Sequence, residues 1–131
     1  MTGNLLRVTT DAALAEISSG LHDEWFDLDR VTHDIERREL RVMIYPGRIT
    51  GRIIRVTRPP LDRDEDLPLP IGELVVRQVV SVEIRDDAEI RWYDVGDLRF
   101  DPGTNRLTLR SNFPLEISVE VEGLDVDLLR P

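Results

Sequence analysis

The stretch Leu21–Tyr45, LHDEWFDLDRVTHDIERRELRVMIY, holds both histidines of the chain, His22 and His33, one of its two tryptophans and a dense set of carboxylates. His22, Asp23, Asp27, Asp29 and His33 carry the imidazole nitrogens and carboxylate oxygens that zinc or manganese takes as ligands, with Glu24 and Asp34 beside them. Spacing works against a single centre. From Trp25 onward apolar and polar side chains alternate, as they do in extended chain, which rises about 3.3 Å per residue and puts about 26 Å between Trp25 and His33. The two imidazoles then meet at one ion only if the chain folds back sharply between them. Asp27 and Asp29 share a face roughly 6.6 Å apart, opposite Phe26 and Leu28 and therefore towards solvent; such a pair holds calcium only with further ligands. The expectation is a helix-terminal His22, a half-buried His33 bonded to backbone, and solvated aspartates, with no metal centre and no cofactor.

Other chemistry is poorly supplied. There is no G-x-S-x-G elbow and no phosphate-cradling glycine loop. The chain has no cysteine, so thiol nucleophiles, thiolate metal sites and disulfides are excluded. All seventeen basic residues are arginine, which excludes Schiff-base chemistry and a P-loop lysine. Tyr93, Asp94, Asp97 and Asp101 cluster round a bend, and two carboxylates facing each other could do acid–base work. With 26 acids in 131 residues, such neighbours arise by chance, and perturbed carboxylates need burial. Trp25, Tyr45, Trp92, Tyr93 and Phe100 read as core anchors rather than a ligand cage. No catalytic residue is assigned, and the balance leans away from an enzyme.

The elements that position these residues follow from periodicity. Leu14, Ile17 and Leu21 fall at helical spacing among alanines; Thr10 or Asp11 caps the start and Gly20 is placed to end it. Leu5, Leu6 and Val8 form a short strand or a tail. In Trp25–Ile35 the inward set shifts from Phe26 and Leu28 to Val31, His33 and Ile35, as a β-bulge near Asp29–Arg30 would produce. Leu40, Val42 and Ile44 alternate as a half-buried strand, Pro46–Gly47 turns, and Arg48–Arg58 runs back. Glu73–Arg85 reads as one long buried strand, Ile90–Phe100 as an extended run bent at Gly96, and Leu107–Leu109, Leu115–Val121 and Leu124–Leu128 as further strands. The segment 59–72, PPLDRDEDLPLPIG, is a proline- and aspartate-rich loop. About 60 residues on either side is marginal for two cores, so residues 1–131 are expected to form one domain. The expected fold is mainly β, at the margin of α+β: an antiparallel meander of about eight strands, curled into a sandwich or partial barrel, with one short N-terminal helix.

The net charge of −9 argues against general nucleic-acid binding, which needs cationic patches. No apolar run approaches the roughly 20 residues of a membrane span. No signal peptide is visible at the start, and a cytoplasmic location is expected.

The segments LHDEWFDL and YDVGDLRFDPGTNRLTLRS resemble small bacterial β-rich domains of unknown function, in which a helix ends in an HD pair and a β-meander follows. Some of those are similar to immunity proteins that neutralise toxins of neighbouring bacteria. The resemblance implies a non-enzymatic role and transfers no catalytic residue.

The leading expectation is thus a protein-interaction module whose outward acids, Glu116, Glu120 and Glu122 with Asp125 and Asp127, meet a basic partner. A homodimer through an uncovered sheet edge is a further expectation. The alternatives are a metal-dependent hydrolase or isomerase using His22 or His33 with a nearby aspartate, and a carrier of a small apolar ligand.

Overall fold

The computed structural model describes residues 5–49, 52–53 and 69–129. Helix α1 spans Asp11–Leu21. Thr10 caps it, its hydroxyl accepting the Ala13 N–H at 3.3 Å, and Leu14, Ile17 and Leu21 form the buried face. The helix runs through Gly20 and ends at Leu21, with His22 as its C-cap. Nothing lies within 4 Å of where a side chain on Gly20 would begin, so this glycine is an exposed helical position and not a stop.

The strands, in chain order, are β1 (Leu5–Val8), β2 (Trp25–Asp27), β3 (Thr32–Asp34), β4 (Glu39–Ile44), β5 (Arg48–Ile49), β6 (Arg52–Ile53), β7 (Gly72–Val76), β8 (Val79–Asp86), β9 (Trp92–Asp94), β10 (Asp97–Asp101), β11 (Arg106–Arg110), β12 (Leu115–Val121) and β13 (Val126–Leu129). They form a five-stranded sheet in the order β1-β13-β7-β4-β3, a four-stranded sheet in the order β10-β11-β12-β8, and two small pairs, β2-β9 and β5-β6. Every pairing is antiparallel. The two large sheets face each other across one core. Leu40, Val42, Ile44, Leu74, Val76, Val126 and Leu128 come from the first, and Leu98, Leu107, Leu109, Ile117 and Val119 from the second. Alternation explains these faces: in β4 and β12 every second residue is buried and its neighbours are partly exposed. The architecture is β-rich with a single helix among the described residues, and neither large sheet closes into a barrel.

Three extended runs are each divided between sheets, the third at the bend that Gly96 marks in the sequence. Trp25–Ile35 contains no bulge. A 3-10 turn at Leu28–Arg30 separates β2, which pairs with β9, from β3, which pairs with β4. Glu73–Arg85 breaks at Arg77–Gln78, where Gln78 adopts φ 57° and sends β7 and β8 into opposite sheets. Ile90–Phe100 breaks at Val95–Gly96, between β9 and β10. The strands are consequently shorter and more numerous than the expected eight, and the spatial order is not that of a simple meander. The loop expected at 59–72 and most of the strand expected at 48–58 lie outside the described residues; residues 69–71 lead into β7 without regular structure.

Gly96 holds a close backbone crossing. Its N–H donates to Arg110 O at 2.7 Å, and a Cβ there would stand 2.9 Å from that oxygen and 3.1 Å from the Ser111 carbonyl carbon. Neither atom is the end of a flexible side chain, so the strands themselves would have to part. Gly96→Ala is expected to lower stability by about 1–3 kcal/mol, measured as a reduced urea midpoint at unchanged m-value.

Candidate functional site

The histidine- and aspartate-rich stretch is dispersed by the fold. His22 is exposed at the end of α1; its Nδ1 donates to Gly96 O at 3.0 Å, and its Nε2 lies 3.5 Å from the Asp23 carboxylate. It borders an open groove of about 390 Å³, between α1 and the start of β10, lined also by Ser18, Ser19, Asp97 and Arg99. His33 is exposed on β3 opposite Leu40, not half-buried as expected, and Ile35 beyond it is 76% exposed. Both were assigned inward because a bulge was expected to keep the strand in one sheet. With the 3-10 turn in its place, the chain emerges on a short edge strand.

Asp27 departs most from the sequence expectation. It is 1% exposed rather than solvated, because β2 is buried along its whole length between β9 and the bridge from Trp25 to Tyr45. Its carboxylate accepts both Nε and Nη2 of Arg91, at 2.9 and 2.8 Å, and the Asp29 N–H at 3.0 Å, with Arg30 Nε 3.3 Å away. Asp29 does join Asp27, but through a shared arginine: its carboxylate is exposed and lies 3.3 Å from Arg91 Nε. Two guanidinium groups thus stand where a cation would have to bind. Among the described residues, no three His, Cys, Asp or Glu side chains converge as ligands.

Tyr93, Asp94, Asp97 and Asp101 diverge as well. The buried Tyr93 phenol donates to the Asp86 carboxylate and accepts the Ile90 N–H at 3.1 Å. Burial, and then the neighbouring Asp86 carboxylate, raise its pKa above the ordinary 10.0. Asp94 is buried and gathers the Ser111 hydroxyl, the Asn112 side-chain amide and the Asn112 N–H, the last at 3.1 Å, fixing the bend before β12. Asp97 pairs with Arg99 at 2.8 Å, and Asp101 caps the Gly103 N–H at 2.9 Å. Trp25, Tyr45 and Trp92 make a second small core with Met43, Tyr45 meeting Trp92 edge-on at 5.2 Å. Tyr93 belongs to the main core, and Phe100 packs against it.

Four of the five outward acids, all but Glu120, are matched from within. Asp125 and Asp127 were expected to face solvent; they are buried, Asp127 to 2% exposure, and ion-paired with Arg7 and Arg77 respectively. Glu116 accepts Arg110 Nε at 3.0 Å, and Glu122 pairs with Arg38. Strand alternation correctly placed these carboxylates off the core face. It did not register the arginines that lie across that face.

The four-stranded sheet has two different edges. At β10 the Leu98 N–H donates to Ser18 Oγ of α1 at 2.9 Å, so the helix covers that side. At the other side lies β8, eight residues long, which among the described residues pairs with β12 alone. The β11–β12 bonds fix which of its groups are uncovered. Ser111 N–H donates to Leu115 O at 3.2 Å and Val121 N–H to Asn105 O at 2.9 Å, so odd-numbered β12 residues bond towards β11 and even-numbered ones towards β8. Ser81, Glu83 and Arg85, which face Glu120, Ser118 and Glu116, therefore spend their backbone groups on β12. Val82 and Ile84 turn theirs to the uncovered side. Val79 is closed off, its N–H donating to Arg38 O at 3.0 Å and its carbonyl accepting Arg38 Nε at 3.3 Å. A bulge beside it leaves Val80 50% exposed, and Ile84 is 44% exposed. The open stretch is Ser81–Asp86. Reading Glu73–Arg85 as one interior strand concealed this edge; the polar pair Arg77–Gln78 in its middle was the available signal.

Comparison with protein-family models, with curated proteins and with solved structures gives no match.

Two outcomes follow from the buried pairs. Asp27→Asn leaves two guanidinium groups facing a neutral amide and is expected to cost roughly 2–4 kcal/mol, read by denaturant titration. Because the Tyr93 pKa is raised on folding, its contribution is fully present below pH 10.0 and is lost as pH rises towards the folded value. Wild-type stability should therefore fall above pH 10.0, and Tyr93→Phe should flatten that fall, measured by urea midpoints across the alkaline range.

Proposed function

We propose that this chain is a non-enzymatic protein-interaction module whose docking element is the open edge of β8. One observation carries the reading: of the two edges of the four-stranded sheet, the helix covers one, while the other presents backbone of Val82 and Ile84 that is unpaired among the described residues, beside exposed apolar side chains. An added strand satisfies those groups and gains main-chain hydrogen bonds, and the alternate side chains supply selectivity. Four of the five acids expected to meet a basic partner are held by Arg7, Arg77, Arg110 and Arg38, which moves the weight of the reading from charge to the strand edge.

The edge is tested with displayed random peptides of about eight residues, selected on the intact chain and measured by titration. Val82→Pro removes one edge-facing N–H without touching the β12 ladder, and Ile84→Lys places a charge on the edge. Each is expected to weaken a selected peptide roughly fivefold to tenfold, with the circular dichroism spectrum unchanged. Binding indifferent to both substitutions overturns the reading.

A further inference from the structure

Taking β8 as the docking edge, a step that rests on the reading above, we infer that its partner is a second copy of the same chain, paired antiparallel about a twofold axis through Ile84. Strand-to-strand pairing about such an axis allows only a few registers, and the side chains of Ser81–Asp86 separate them. With Glu83 on the axis, two identical carboxylates stand opposite each other. With Arg85 on it, two guanidinium groups do. Directly opposed like charges destabilise a sheet. With Val82 on the axis, Arg85 meets the end of the strand already occupied by Arg38 at Val79, and Glu83 meets Ser81.

Of the four central registers of this stretch, the remaining one places Ile84 against Ile84 of the second copy. It sets Glu83 opposite Arg85 twice, once on each side of the axis. It also sets Val82 opposite Asp86. Backbone parity agrees: Val82 and Ile84 carry the uncovered N–H and C=O groups, so the axis falls on a residue pair able to exchange both hydrogen bonds. Glu83 is exposed, and Arg85 is held only loosely by Glu116, 3.9 Å away with the arginine side chain 67% exposed, so both are free to turn to a partner. The pairing joins two four-stranded sheets into one continuous sheet and covers the exposed Ile84. Each chain carries a net charge of −9, which opposes association. That repulsion acts between charges spread over the surface and is screened beyond about 8 Å at physiological salt, whereas the Glu83–Arg85 pairs act at contact.

The test is sedimentation equilibrium of the full chain from low micromolar to submillimolar concentration in physiological salt. The expected result is a reversible rise from 15.1 kDa to twice that mass. Glu83→Arg and Arg85→Glu, made singly, should each weaken the dimer roughly tenfold. The double variant Glu83→Arg/Arg85→Glu should return it to near the wild-type constant. The double variant separates this register from one with residue 83 on the axis, where it would place arginine against arginine. Val82→Pro should leave a folded monomer. A chain that stays monomeric throughout, yet binds selected peptides in a manner sensitive to Val82→Pro, overturns self-pairing and leaves the docking edge standing. A dimer unaffected by Val82→Pro overturns self-pairing at this edge, and peptide binding unaffected by Val82→Pro and Ile84→Lys overturns the docking edge as well. A dimer not restored by the double charge exchange overturns the register.

Discussion

A carboxylate with almost no exposed surface has to be matched by a cation or by several hydrogen-bond donors, and among the described residues four aspartates are buried in that way: Asp27, Asp94, Asp125 and Asp127. Three of them face arginine, and Asp94 collects neutral donors instead. Asp27 is the one on which most depends. Its grip on Arg91 and Arg30 ties β2 to the approach of β9 and to the 3-10 turn, and so fixes where the chain leaves the small sheet for the large one. Breaking such a pair from one side costs more than the intact pair contributes.

The absence of lysine gives this pattern a common physical basis. A guanidinium is planar and presents donors in a fixed fork, so it can hold one carboxylate with two parallel bonds, as Arg91 does with Asp27 and Arg7 with Asp125. It can also bridge neighbouring acids across strands, as Arg41 does between Glu39 and Glu73 on the outer face of the five-stranded sheet. The arginines are thus much of the covering of that face, and the large negative formal charge of the chain understates how well its acids are matched. On the proposed reading, recognition falls to the backbone edge of β8 more than to any field of charge.

What alternation could reveal was the inside and outside of each strand. In β4, β11 and β12 the expected apolar faces are the buried ones, because each strand stays in one sheet along its length. The helix was legible for the same reason, with Leu14, Ile17 and Leu21 on its buried face. Of the transfers between sheets, the bend at Gly96 was legible and the other two were not. Each occurs within one to three residues, at Leu28–Arg30, Arg77–Gln78 and Val95–Gly96, with no long polar run to announce it. Buried aspartates were missed because the face opposite the core was taken to be water. On this protein part of that face is arginine.

The position of β13 has a consequence for synthesis. It lies inside the five-stranded sheet, between β1 and β7, although it is translated after every strand it joins. On the ribosome, β1 and β7 must each wait with a bare side until residues 126–129 leave the exit tunnel, and until then the large sheet exists only as β3, β4 and β7. Such a nascent chain holds an unfilled slot with the width of one strand. Premature stop codons upstream of β13 would release products with that slot permanently vacant.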